Sequence, residues 1–435
     1  MYKKFTKYFL VAIIVAITTV SLSSYAGRNN FASLLNSPVE SDYFQLFKKI
    51  IEITKQNYVE EVDEKDLFYS AFDGMLRSLD PHSGFLNNEN FKEMHVQTSG
   101  QFGGVGIEIT MYKGFLKVVS PIDDTPAHKA GIKPSDYITM IDGETVRDLN
   151  INQAVQKIRG PKGTKVKLTI VREGVSEPLE FDVERAIIKI ISVKSKVLAD
   201  DVAYFRVTSF SQNTTVSLES QLKKILSKTE NNLRGIVLDL RNNPGGLLDQ
   251  AIGVSELFLD GGVVVSTKGR ARNAEEVFNA AKGDIAKDIP IVVLVNQGSA
   301  SASEIVAGAL QDHKRAVILG KNSFGKGSVQ TVVPLGNNLG MRLTTSKYYT
   351  PNGVSIQAKG ITPDVEISQK NIEIDENNNK YMSESNLPGH LETQNNDGKN
   401  DSKKTNQVEL NKIYKEDYQL ARAIDLLHAL SVLNK

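Results

Sequence analysis

The 435-residue chain contains no cysteine. Disulfides, a thiol nucleophile and thiolate-held zinc or iron–sulfur centres are therefore excluded, and stability has to come from core packing. The absence does not fix the compartment, though it suits an oxidising one. Surplus charge of one sign is missing too. Lys+Arg 52 against Asp+Glu 51 leaves a net charge of +1. No global basic field exists to hold nucleic acid, and a nucleic-acid partner would need a local patch or motif. The six histidines form no His/carboxylate cluster that suggests a metal, and no cofactor is expected. Beyond the N-terminus no segment is apolar enough to span a bilayer. What remains, 40% hydrophobic and 24% charged residues, is an ordinary globular balance, long enough for two or three domains. Collagen-like and dominantly disordered readings are ruled out.

The N-terminus reads as an export signal. Lys3, Lys4 and Lys7 make a positive start, Phe9 to Val20 is almost wholly apolar, and Ser24-Tyr25-Ala26 offers small residues before a cleavage after Ala26. The apolar run is short against the roughly 20 residues of a spanning helix. Residues 1–26 are expected to be a cleaved signal peptide, the alternative being an uncleaved N-terminal anchor. Either way the body is expected outside the cytoplasm, in the periplasm or on the outer face of the cytoplasmic membrane.

Residues 40–98 show helical periodicity, with Phe44, Phe47, Ile50, Ile51 and Tyr58 followed by Leu67, Phe72, Met75 and Leu76. The run Asp80-Pro81-His82-Ser83-Gly84 closes them with a turn. Residues 99–186 change to short β-rich runs (106–110, 115–119, 137–141 and 165–171) between Gly, Pro and Asp turns, with one helix near 152–158. Residues 190–370 alternate buried-type strands (202–207, 236–240, 291–295, 316–319) with amphipathic helices (216–226, 247–258), the pattern of an α/β layer core. Residues 371–407 are polar and read as a disordered linker. In 408–435, Leu420, Ile424 and Leu427 mark a helix face that should dock.

Two stretches carry chemistry. In Phe102-Gly103-Gly104-Val105-Gly106-Ile107, glycines before a strand allow backbone N–H groups to converge into an anion nest. A chain-terminal carboxylate is the natural ligand of such a nest beside a sheet edge. The run Gly298-Ser299-Ala300-Ser301-Ala302-Ser303-Glu304-Ile305 follows a strand and opens a helix expected from about 302 to 313. Such a turn exposes a nucleophilic hydroxyl beside helix N–H donors, although a serine there ordinarily just caps the helix. His313 is a poor base for Ser301: twelve residues along one helix is about 18 Å. Lys326, in Gly320-Lys321-Asn322-Ser323-Phe324-Gly325-Lys326-Gly327, returns to the same sheet edge after one strand–helix–strand passage. It serves as a base only if desolvation lowers its pKa well below about 10.4. Flanking glycines allow close packing, and Gln330 could hold its amine without adding charge. The same loop almost spells a phosphate-binding P-loop. Gly327 stands, however, where a magnesium-ligating Ser or Thr is required, and 328–335 reads as strand rather than helix.

The glycine loop, Ala130-Gly131-Ile132-Lys133-Pro134 and Ile141-Asp142-Gly143 together resemble a PDZ domain of the bacterial protease type. The Ser301 run, Lys326 and Gln330, with Leu238-Asp239-Leu240-Arg241-Asn242-Asn243-Pro244-Gly245-Gly246, Tyr349-Thr350-Pro351-Asn352-Gly353, Gly360-Ile361-Thr362-Pro363-Asp364 and Leu79-Asp80-Pro81-His82-Ser83, resemble the carboxyl-terminal processing (tail-specific) proteases over about 40–370 plus the final helix. The resemblance implies a multidomain α/β protein: a ClpP/crotonase-like protease core with an inserted PDZ domain and an N-terminal helical region. It implies Ser301 as nucleophile, Lys326 as general base and Gln330 as its orienting partner. Gly104, Val105, Gly106 and Ile107 would bind the substrate C-terminus. The amides of Ala302 and of Gly245 or Gly246 are the candidate oxyanion donors, and Arg159 is the candidate coupling contact between PDZ domain and core. The expected activity is a serine endopeptidase that cuts exported proteins near their C-termini after PDZ capture. The alternative is a non-catalytic PDZ scaffold on a degenerate protease core, which would be expected to have lost one of Ser301, Lys326 and Gln330. Protein substrates with free C-termini are the expected partners; an adaptor, N-terminal anchoring and an oligomeric state stay open.

Overall fold

The computed structural model describes residues 38–230, 232–271, 274–370 and 410–433. The expected signal segment 1–26 and linker 371–407 lie outside the described residues. The chain divides into two compact units between Phe85 and Leu86.

In the first unit, helices Pro38–Asn57 and Glu64–Arg77 carry the periodic apolar residues. The Asp63 carboxylate caps the second helix by accepting from the Lys65 and Asp66 amides. Phe47 meets Phe68 edge-on at 5.7 Å, and Tyr69 and Phe72 pack on Phe85. Asp80 builds the expected turn by accepting from the His82 and Ser83 amides and the Ser83 hydroxyl. The helical stretch anticipated for 40–98 is interrupted by strand Gly84–Leu86, and its last helix, Asn88–Ser99, belongs to the second unit.

The second unit is built on a six-stranded sheet in the order Val193–Leu198, Val202–Val207, Gly235–Asp239, Ile291–Val295, Val317–Gly320, Val365–Glu366. The first pair is antiparallel and the rest parallel. The central strands read as unbroken apolar runs because both faces are covered. Ile236, Leu238, Ile291 and Val293 face helices Thr214–Lys228, Leu248–Glu256 and Ala302–Asp312, while Val237, Val292 and Leu294 face the terminal helix Tyr418–Leu433 through Leu420, Ile424 and Leu427. The expected docking partner of that last helix is thus the open face of the core sheet. A second, antiparallel sheet contains Gly262–Gly269, Glu276–Ala280, Ser328–Gly336 and Leu339–Tyr349.

The β-rich module is inserted between Asn88–Ser99 and the first core strand. Its entry, Gln101–Gly104, pairs antiparallel with its exit, Ala186–Lys189. Its sheet runs Ile107–Tyr112, Phe115–Pro121, Tyr137–Ile141, Lys165–Val171, Leu179–Glu184, which leaves Ile107–Tyr112 at an edge. Leu116, Ile138, Leu168 and Val183 form a core of its own with Ala154 and Ile158 from helix Ile151–Ile158. Buried Arg185 closes that helix by donating to the Lys157 and Ile158 carbonyls, two of the acceptors a helix C-terminus leaves unpaired.

Candidate active site

Three loops leave the carboxyl ends of adjacent parallel strands: 240–246 after Gly235–Asp239, 296–301 after Ile291–Val295, and 321–326 after Val317–Gly320. This is the end of an open α/β sheet where ligands bind. Ser301 stands at the N-cap of helix Ala302–Asp312 with φ 55° and ψ −113°, a left-handed conformation that strains an L-residue. The strain is held by bonds on both sides of the residue. The Ser301 carbonyl accepts from the Glu304 and Ile305 amides, and its own amide donates to Glu304 Oε2 at 2.8 Å.

Ser299 and Ser303, both fully buried, are not the helix cap. The Ser299 hydroxyl donates to the Leu240 carbonyl (2.8 Å), and that of Ser303 to the Asn243 carbonyl (2.9 Å). The Asn243 carbonyl also accepts from the Ala300 amide, and Asn242 and Asn296 exchange two further bonds. Loop 240–246 and the serine turn are thereby fastened into one rigid body.

Glu304 has a part in the site that its place in the sequence does not announce. Its carboxylate is fully buried. Oε2 accepts from the Ser301 amide (2.8 Å) and the Lys326 amide (2.9 Å), while Oε1 accepts from the Gly325 amide and the Ser323 hydroxyl, both at 2.6 Å. One carboxylate oxygen therefore joins the backbones of the two candidate catalytic residues. The spacing Ser301-x-x-Glu304 is a capping-box signature and was a usable signal. What it does not reveal is that a second loop shares the same carboxylate.

Lys326 is half-buried, and its pKa is lowered from the ordinary lysine value. Desolvation is the main cause, the Arg342 charge adds to it, and the Glu304 charge opposes it. The flanking glycines are required by close backbone approach. A Cβ on Gly327 would lie 2.3 Å from the Gln357 amide nitrogen, and Gly325 has φ +89° against residues 358–360. Gln330 departs from expectation. Its Nε2 donates to the Ser328 carbonyl (3.1 Å) and hydroxyl (2.9 Å), at a bulge in the strand, and it makes no hydrogen bond to Lys326. Gly245 needs a correction as well. Its amide is committed to Asn243 Oδ1 at 2.9 Å, so it is no open oxyanion donor. It serves by lacking a side chain, since a Cβ there would stand 2.8 Å from Ser301 Cβ and 2.9 Å from the Ala302 nitrogen. His313 sits at the far end of the serine helix with Nε2 2.7 Å from the Val263 carbonyl. Among the described residues no group of three or more His, Asp or Glu side chains could hold a metal ion.

Residues 201–367 match the model of peptidase family S41, 117–172 a PDZ domain model, and 20–90 the N-terminal domain of the activating protease CtpB. A carboxy-terminal-processing protease of Bartonella bacilliformis is 48% identical over 400 residues, covering 91% of each chain. The chain belongs to the carboxy-terminal-processing proteases of peptidase family S41. The carboxy-terminal processing protease CtpA of Bacillus subtilis is 36% identical over 366 residues, 83% of this chain and 77% of that one. Among solved structures, a photosystem II D1 C-terminal processing protease is 30% identical, covering 74% of this chain and 92% of that chain, with a TM-score of 0.44. As a member of this family the chain is a serine-type peptidase that acts on the C-terminal regions of proteins, which sets the scaffold alternative aside.

The processing protease's PDZ domain presents a groove of about 230 Å³ between edge strand Ile107–Tyr112 and helix Ile151–Ile158, lined by Gly104, Val105, Gly106, Ile107, Val155 and Arg159 among others. The Val105 and Gly106 carbonyls accept from the Ala127 and Ile122 amides and from Thr125 on the far side of the loop. Gly106 has φ +81°, and a Cβ on it would fall 2.4 Å from Thr125 Cβ, so only glycine fits. Arg159 lies over the Phe102 ring at 4.5 Å and pairs with Glu93 of helix Asn88–Ser99, a contact from the PDZ domain to the rest of the unit. Among the described residues no helix is long and apolar enough to cross a membrane.

Proposed function

We propose that this protease is an endopeptidase that uses a Ser301–Lys326 dyad on exported proteins captured by their free C-termini. The observation that carries the reading is the shared Glu304 carboxylate, which fixes the Ser301 and Lys326 backbones to one atom, while burial lowers the lysine's pKa from its ordinary value. Neutral Lys326 takes the Ser301 proton as Oγ attacks the peptide carbonyl, and the resulting ammonium protonates the leaving amine. Water then hydrolyses the acyl-enzyme, with the lysine again acting as base. The oxyanion is received by the amides of Ala302, at the positive end of a helix, and Gly246. Gln330 is held on Ser328 in this state and reaches Lys326 only by releasing that contact.

Capture uses the edge strand. A substrate tail adds beside Ile107–Tyr112 and places its carboxylate on the 104–107 loop. Arg159 couples capture to the core: it lines the groove and is anchored through Glu93, so an incoming carboxylate competes for the same guanidinium. Such competition shifts the domain only if the two states bind the tail with different affinity. The site faces a compartment outside the cytoplasm, on the strength of the basic and apolar N-terminal sequence. The direct test is cleavage of a peptide with a free C-terminus by Ser301→Ala and Lys326→Ala. Both should be inactive and folded, and substantial turnover by either removes that residue from the dyad.

A further inference from the structure

Arg241 is the second residue of loop 240–246, whose far end carries Gly246. All five of its guanidinium N–H groups are used. Nε donates to Asp239 Oδ1 (3.0 Å) and Nη2 to Asp239 Oδ2 (2.7 Å). The other three bonds go to the C-terminal segment: Nη1 and Nη2 form a fork on Asp417 at 2.8 and 2.6 Å, and Nη1 also reaches Gln419 Oε1 at 3.1 Å. Asp417 lies 176 residues away in sequence, immediately before the terminal helix. Gln419 is itself tied to the Ile367 carbonyl at 2.7 Å. Asp239, 2% exposed, accepts in addition from Arg206 and from the Tyr204 hydroxyl. Two arginines thus face two aspartates in a cluster that is nearly dry at Asp239 and Arg241.

We infer that Asp417 is a positioning residue for catalysis: by closing the fork on Arg241, the C-terminal segment holds loop 240–246, and through it the Gly246 amide and the serine turn, in the reactive arrangement. The terminal helix has an ample apolar reason to dock, through Leu420, Ile424 and Leu427. That docking needs no salt bridge. Arg241 is the charged handle by which the terminal segment reaches the loop, which is bonded on its other side to the serine turn and also to the Val207 carbonyl through Asn243 Nδ2 and to the Phe210 amide through the Gly245 carbonyl. Asp417→Asn keeps one acceptor but leaves a surplus positive charge in the cluster and breaks the fork. Removing one partner of such a pair does more harm than the pair's net worth, because the partner stays buried and uncompensated. A misplacement of about 1 Å at reacting groups lowers rate about a hundredfold.

The inference rests on the reading of Ser301 and Gly246 given above, and the test separates the two. Steady-state kinetics on a free-C-terminus peptide, and inhibition by a peptide boronic acid that mimics the tetrahedral intermediate, are measured for wild type, Asp417→Asn, Asp417→Glu, Gln419→Leu, Leu427→Ala and Ser301→Ala. Asp417→Asn should lose roughly tenfold to a hundredfold in kcat with KM unchanged, and boronate affinity should fall by the same factor. Asp417→Glu, which keeps the charge and fork, should recover part of both. Gln419→Leu should lose less in the same two parameters, which keeps the test decisive if Asp417→Asn does not fold. Leu427→Ala, which weakens docking alone, should lower the melting temperature and leave kcat intact below it. Wild-type kcat and boronate affinity in Asp417→Asn, or an equal kcat loss in Leu427→Ala, overturns the inference. An active Ser301→Ala would instead overturn the site reading beneath it.

Discussion

Glu304→Gln is the most informative single change at the site. The glutamine keeps one carbonyl oxygen and turns the other oxygen into an NH2 group. In one orientation that group faces the Ser301 and Lys326 amides, and in the other the Gly325 amide and Ser323 hydroxyl. In the first orientation two bonds to a buried charged acceptor are lost; in the second one is lost, because the Ser323 hydroxyl can turn and accept. At about 1.5–3 kcal/mol each, the loss is about 1.5–6 kcal/mol, a large part of the 5–15 kcal/mol that typically holds a domain folded. The variant should be folded in the cold with a clearly lowered melting temperature. Its kcat should fall by about a hundredfold, because the strained Ser301 turn and the lysine loop are no longer tied to one atom. The pH profile separates this from simple destabilisation. The Glu304 charge favours protonated Lys326, so its removal lowers the lysine pKa further, and the rising limb of residual activity should move to lower pH. The assay is kcat against pH on a short peptide, below the melting transition. Wild-type kcat with an unmoved limb would refute the assigned role of Glu304.

Lys326→Arg should be as inactive as Lys326→Ala in the same assay, because a guanidinium stays protonated and cannot accept the serine proton. Wild-type activity should rise with pH through a group titrating below the ordinary lysine value, the direction set by desolvation of Lys326; control by a group near about 6.5 would indicate histidine instead. Gly106→Val should abolish binding of a free-C-terminus peptide in a titration, because the side chain collides with Thr125, while a peptide too short to reach the groove is still cut. Arg159→Ala should reduce turnover of a protein with an apolar C-terminus while tail binding persists; unchanged turnover on both a short peptide and that protein would remove Arg159 from the mechanism.

The sequence was most informative where local pattern and burial coincide. Strands Tyr137–Ile141, Lys165–Val171 and Ile291–Val295 fall where their apolar runs place them. The motif singles out Ser301 and Lys326 as candidates, and the close packing around the lysine loop requires the glycines beside Lys326. Strand Val193–Leu198 is not legible in the sequence, because it is an antiparallel edge with Lys194, Ser195 and Lys196 along it and lacks the continuous apolar run of its neighbours. Leu339–Tyr349, polar and half exposed, is hidden for want of the same run. Glu304 and Asp417 became visible only in three dimensions. A glutamate three residues after an N-cap reads as a local cap, and nothing local to Asp417 points to Arg241. The misassigned Gly245 donor has a similar origin: sequence locates the glycine turn, but which amide stays open depends on where the Asn243 side chain folds back.

The central claim is that Lys326 supplies the base for Ser301. It is tested most directly by measuring kcat/KM of folded Lys326→Ala on a free-C-terminus peptide beside labelling of its Ser301 by a serine-reactive phosphonate. The account predicts that turnover and labelling are both lost, although the serine remains in place. Near-wild-type turnover, or phosphonate labelling at the wild-type rate, would contradict it.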